Sequence, residues 1–107
     1  MVTTALDSIE LHDALVERIN IDFLAASVTI YIAYYPSVEG EQRVRAKLIF
    51  EGVEAISQIA DLTRLRKNAV AGNINCWRPF DAGGATYIYL VDGCIAVTAK
   101  VARIDPI

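Results

Sequence analysis

One histidine and two cysteines are too few for the commonest metal-binding and nucleophilic arrangements in a chain of 107 residues. His12 is followed directly by Asp13, but adjacent strand residues point to opposite faces, and no further ligands stand at helical or hairpin spacing. A structural or exposed His12 is therefore expected. Cys76 and Cys94 show no CxxC spacing and lie in apolar, strand-like segments, which reads as buried reduced thiols. There is no G-x-S-x-G elbow, no phosphate-binding glycine loop and no paired-carboxylate pattern, since Asp7, Glu10, Asp13 and Glu17 scatter like a solvated surface. No catalytic residue, metal site or cofactor is expected.

Long apolar runs are missing as well. The longest is Ile30–Tyr35, whereas a membrane-spanning helix needs roughly 18 residues or more. Met1–Glu10 has neither a basic n-region nor an apolar h-region, so it does not read as a secretory signal, and the expected location is the cytoplasm. Ten basic against thirteen acidic side chains leave a net charge of −3, which disfavours binding to nucleic-acid phosphates.

What the chain has in quantity is apolar residues, 54% of the total, in a length suited to one core. A single domain over 1–107 is expected, with 1–10 irregular. Leu15, Glu17, Ile19 and Ile21 alternate with Val16, Arg18, Asn20 and Asp22, mostly at period two, as the inward face of a first strand. Phe23-Leu24-Ala25-Ala26 separates it from a second, Ser27–Tyr35, with Val28, Ile30 and Ile32 in one row. After turn chemistry at 36–40, Arg43, Arg45 and Lys47 alternate with Val44, Ala46, Leu48 and Phe50.

Between Gly52 and Gly72 the period changes to three and four, at Ile56, Ile59, Leu62, Leu65 and Ala69. This predicts a core-facing helix capped by Ser57 or Asp61 and stopped at Gly72. Strands follow at Asn73–Phe80, Tyr87–Val91 and Cys94–Val101, with a loop over 81–84 and a type I′ turn centred on Asp92-Gly93. The order β-β-β-α-β-β-β predicts an α+β fold, either an antiparallel six-stranded curled sheet with one helix or a small sandwich of two three-stranded sheets.

If Ile30, Ile32, Leu48, Phe50, Ile74, Ile88 and Leu90 point inward, strict alternation gathers Tyr31, Trp77, Tyr87 and Tyr89 on the opposite face beside Arg43 and Arg45. These six form the candidate binding surface, because Tyr, Trp and Arg combine large contact area with a polar handle. The plainer reading of the same residues is that aromatics favour strands and that the helix or a second sheet covers them. Apolar residues on both faces of the last strand, Ile95 and Val97 beside Cys94 and Ala96, predict a homodimer.

The opening Leu11-His12-Asp13-Ala14, the following hairpin of alternating Ile and Val, and the segment Gly72-Asn73-Ile74-Asn75 resemble small bacterial β-rich proteins of unassigned function, some of them immunity or antitoxin-like. The resemblance implies a protein that works by occupying a partner, and acidic charge suits blocking a basic one. The expected function is a non-enzymatic protein-interaction module. The alternatives are a small-ligand-binding domain with a pocket between sheet and helix, and a single-strand nucleic-acid binder that stacks bases on the same aromatics.

Overall fold

The computed structural model describes residues 6–36, 42–80 and 84–107. The predicted turn at 37–40 and most of the 81–84 loop lie outside them. A short 3₁₀ turn at Leu6–Ser8 leads into β1 (Leu15–Asp22), β2 (Ser27–Tyr34) and β3 (Val44–Ile59). Then come α1 (Leu62–Lys67), β4 (Ile74–Arg78), β5 (Ala85–Leu90) and β6 (Gly93–Pro106). All six strands join one antiparallel sheet in the order β1-β2-β3-β6-β5-β4, so the curled-sheet expectation holds and the two-sheet sandwich does not.

The sheet is organised by its two long central strands. The first part of β3, Val44–Glu51, has β2 on one side and the last part of β6 on the other. The first part of β6 has β5 on its far side and Val53–Ile59 of β3 on its near side. Each hairpin, β1–β2 and β4–β5, thus flanks a different end of the β3–β6 ladder. The sheet curls until its two edges meet at one corner, where the amide of Asp13 donates to the Ile74 carbonyl and the amides of Asn73 and Ile74 donate to the Ala14 carbonyl, each at 3.0 Å.

Inside the curl lies the core: Val28, Ile30 and Ile32 of β2, Ala46, Leu48 and Phe50 of β3, Ile88 and Leu90 of β5, and Ile95, Val97 and Ala99 of β6, joined by Leu11, Ile74 and Trp77. Asn73 is buried at the corner without an unpaired group, because its Oδ1 accepts from the Val16 amide at 2.8 Å and its Nδ2 donates to the Leu65 carbonyl at 3.3 Å.

The predicted helix over 52–72 is corrected to a strand followed by a much shorter helix. β3 runs on to Ile59, and its inward residues Phe50, Val53 and Ile56 fall three apart because alternation resets at Gly52 and again at a bulge between Val53 and Ala55. Two resets in a strand imitate helical spacing. Asp61 does cap α1, its carboxylate accepting from the Arg64 amide at 3.0 Å. Within α1 only Leu65 packs on the core, while Leu62 is 75% exposed and not the buried residue expected. The helix closes one end of the curl, tied there by Asn73 and by an Arg64–Asp92 ion pair at 2.8 Å, and does not roof the sheet's outer face.

Two smaller expectations also change. In β1 a bulge between Val16 and Arg18 puts Val16 opposite inward Ile32, so Val16 and Ile19 face the core, not the whole row from Leu15 and Glu17. The last turn is centred on Val91-Asp92, with Leu90 opposite Gly93 and only Asp92 at positive φ, so it is not a type I′ turn on Asp92-Gly93. Gly93 is required for another reason: a Cβ there would lie 2.1 Å from the Ile59 carbonyl oxygen.

Candidate functional site

The six residues gathered by alternation do not share one surface. Trp77 is in the core, 9% exposed, with its indole Nε1 donating to the Ile9 carbonyl at 2.8 Å. The cause is a bulge between Ile74 and Cys76, which sets Cys76 opposite Tyr89 and turns Trp77 inward opposite Ile88. By the same shift Cys76 is exposed, not a buried thiol.

Arg43 holds the corner where the sheet edges meet. Its guanidinium donates to the Asp13 carbonyl at 3.1 and 3.2 Å and to the Val70 carbonyl at 2.9 Å, and it lies 5.0 Å from the Tyr35 ring centroid. Arg45 pairs with Glu17 at 3.4 Å. Tyr31 points outward on β2 with the Arg18 guanidinium 3.9 Å over its ring. These two belong to the β1–β2 end, where the outward register reads Arg18, Tyr31, Lys47 and Asp105 across four strands. Arg103 bonds both Glu51 and Asp105 on that same face. It is an ordinary ion-paired surface.

Tyr87 and Tyr89 remain, and they do lie together. They are alternate outward residues of β5, stacked with ring centroids 6.4 Å apart and planes 15° from parallel. From Asp105, in the Tyr31 row, to Ala96, opposite Tyr87, is about 30 Å along β6 at ~3.3 Å per residue, so Tyr31 is at the far end of the molecule.

The residues around the tyrosine pair follow from the register. One outward row is Cys76, Tyr89, Cys94 and Ile59, and the next is Arg78, Tyr87, Ala96 and Ser57. A third adds Ala85, Thr98 and Ala55. The only charge in these rows is Arg78. Tyr87 and Tyr89 form a raised ridge along β5, and Ala96, Ser57, Thr98 and Ala55 form a flat strip beside it on β6 and β3. Ile59, 72% exposed, bounds the strip at one end. Cys76 and Cys94 stand two strands apart, about 10 Å, beyond disulfide reach. Partial burial holds the Cys94 thiol above its ordinary pKa.

Two features escaped sequence reasoning in whole or in part, since only the Cys94 and Ala96 face of the last strand was noted. One is this uncharged strip, whose signal was the run of Ala, Ser and Thr on alternate positions of β6 and late β3. The other is the β1–β2 turn, where Phe23 and Leu24 are 87% and 101% exposed beside an open depression lined by Asn20, Ile21 and Thr29. The turn is ordered by the Asp22 carboxylate, which accepts from the Ala25 amide at 2.9 Å, and by the Val53 amide donating to Ala26 at 2.8 Å.

Among the described residues no group of three or more His, Cys, Asp or Glu could hold a metal ion, and no helix is long and apolar enough to cross a membrane. The chain matches no family model, and comparison with curated proteins and with solved structures finds no match.

Proposed function

We propose that this protein is an interaction module whose working surface is the outer face around Tyr87 and Tyr89. The observation that supports it is the stacked tyrosine pair, standing beside a strip of small side chains with a single charge, on a face the helix leaves open. Tyrosine gives a large, stiff contact area at small entropic cost, and an uncharged strip beside it loses little on desolvation. Such a surface acts by shape and burial and needs no reacting group. An immunity or antitoxin-like role, as the sequence resemblance implies, is one form of this reading, in which the occupied partner is a toxin.

The test is binding to a partner identified by cross-linking in cells and then purified. Tyr89→Ala is expected to weaken that complex by about 30-fold or more, the equivalent of a ~2 kcal/mol hot spot, while Lys47→Ala on the charged end changes it less than about threefold. Equal affinity of wild type and Tyr89→Ala overturns the reading.

A further inference from the structure

Resting on the reading of the Tyr87–Tyr89 face as a binding surface, we infer that its occupant is a second copy of this chain, related by a two-fold axis. A two-fold interface places the same patch against itself, so each copy must offer both a projection and a place to receive one. This face does. The ridge of Tyr87 and Tyr89 on β5 lies one strand away from the flat strip that Ala96 and Ser57 form on β6 and β3. With the axis between ridge and strip, the tyrosines of each copy rest on the small residues of the other.

Charge favours a copy over a cationic partner. Each chain carries −3, and two like-charged chains associate only where the contact is neutral and their acids stay apart. The paired outward rows here hold no carboxylate, and the one nearby, the exposed bulge residue Glu54 beside Ala55, stands at the border of the strip, whereas Glu17, Glu51 and Asp105 are ion-paired on the other end. A basic partner would be met by an acidic surface, which this face is not. Arg78 stands at its border opposite Tyr87, where it remains hydrated.

Size sets the strength. The patch measures roughly 19 Å across four strands and 17 Å along β5, short of the ~800 Å² per partner of standard stable interfaces, so the dimer dissociates on dilution.

Sedimentation of the full chain from roughly 1 μM to 1 mM is the experiment. The expected result is an average mass rising from 11.7 kDa toward twice that value. Ala96→Arg sets like charges close together across the axis and is expected to weaken association at least tenfold, while Lys47→Ala leaves it unchanged. Should Ala96→Arg fail to fold, the wild-type chain supplies a second readout. Labelling of Cys76 by a small disulfide reagent, located by mass spectrometry, is expected to slow severalfold as concentration rises, because Cys76 stands beside Tyr89. A monomer at every concentration overturns the second-copy inference and leaves the binding face to its own test. Self-association that neither Ala96→Arg nor Cys76 labelling reports runs through another surface; it overturns the inference and likewise leaves the binding face to the Tyr89→Ala test.

Discussion

The two ends of the β3–β6 ladder share the same pair of strands and the same kind of apolar interior, yet their outer faces differ in chemistry. On the end flanked by β1 and β2, outward positions are Arg45, Lys47, Ile49 and Glu51 of β3 and Val101, Arg103 and Asp105 of β6, with Arg18 beside them, so charged residues outnumber apolar ones. On the end flanked by β4 and β5, the same strands turn outward Ala55, Ser57 and Ile59, and Cys94, Ala96 and Thr98, with the bulge residue Glu54 as the one acid at their border. The first is what a solvated sheet surface ordinarily carries. Because the core is complete inside the curl at both ends, folding does not require the second to be neutral. The charged end acts as an internal control, and the departure from it at the other end supports the reading of an interface.

The largest expected effect tests whether that neutral outer face is instead a second core. Trp77 and Tyr89 belong to the same hairpin, on opposite sides of it. Trp77→Ala removes a buried ring and leaves the Ile9 carbonyl without its indole partner, at an expected cost of about 3–5 kcal/mol. Tyr89→Ala gives up stacking with Tyr87 and partial burial, at an expected cost of about 1 kcal/mol. Denaturant unfolding measures both. Equal costs would break the comparison, since Tyr89 would then be a folding residue.

A smaller effect is expected at Gly93, where the neutral end is built by close approach of backbones. A methyl group at this position meets the Ile59 carbonyl at 2.1 Å, so the start of β6 must move away from the end of β3. Gly93→Ala is expected to cost about 1–3 kcal/mol, with faster hydrogen exchange at Cys94 and Ile59 and little change at Lys47 or Arg103. Exchange that rises equally at both ends would show that the ladder responds as one unit, with no division between its ends.

Much of the fold was legible wherever alternation ran unbroken. The rows Val28, Ile30, Ile32 and Ala46, Leu48, Phe50 are buried as their period implies, and Ile88 and Leu90 likewise. Reasoning failed at the bulges after Val16, Val53 and Ile74, each of which changes the face of everything beyond it. A bulge is decided by pairing with a distant strand, and nothing local in Asn75-Cys76-Trp77 announces it. One such shift moved Trp77 from the proposed surface to the core, and another lent β3 the spacing of a helix. Of the candidate site, Tyr87 and Tyr89 were legible because β5 carries no bulge within its pairing with β6.

The smallest expected effect lies at the corner that joins the two ends. His12 sits between the edge strands, its Nδ1 donating to the Asn75 carbonyl at 2.8 Å and its Nε2 3.5 Å from the Asp13 carboxylate, with Glu10 accepting from its backbone amide. The Asn75 carbonyl first, and the Asp13 carboxylate after it, raise the His12 pKa above its ordinary 6.5, against a smaller opposing effect of desolvation. A raised folded-state pKa means that the folded chain holds the proton more tightly than the unfolded one. The resulting stabilisation is fully present below the unfolded value and is lost as pH rises through the folded one. Both partners reach His12 through exposed groups, so the effect is small, but its direction is fixed. Urea midpoints are expected to fall slightly between pH 6 and pH 8 in the wild type, and less in His12→Gln, which keeps a donor for Asn75 and loses the charge. His12 is the only histidine, so the difference between the two chains isolates its contribution. A wild-type midpoint that rises over this interval relative to His12→Gln contradicts the assignment, and would mean that the corner is held by Arg43 and the backbone bonds without help from the imidazolium.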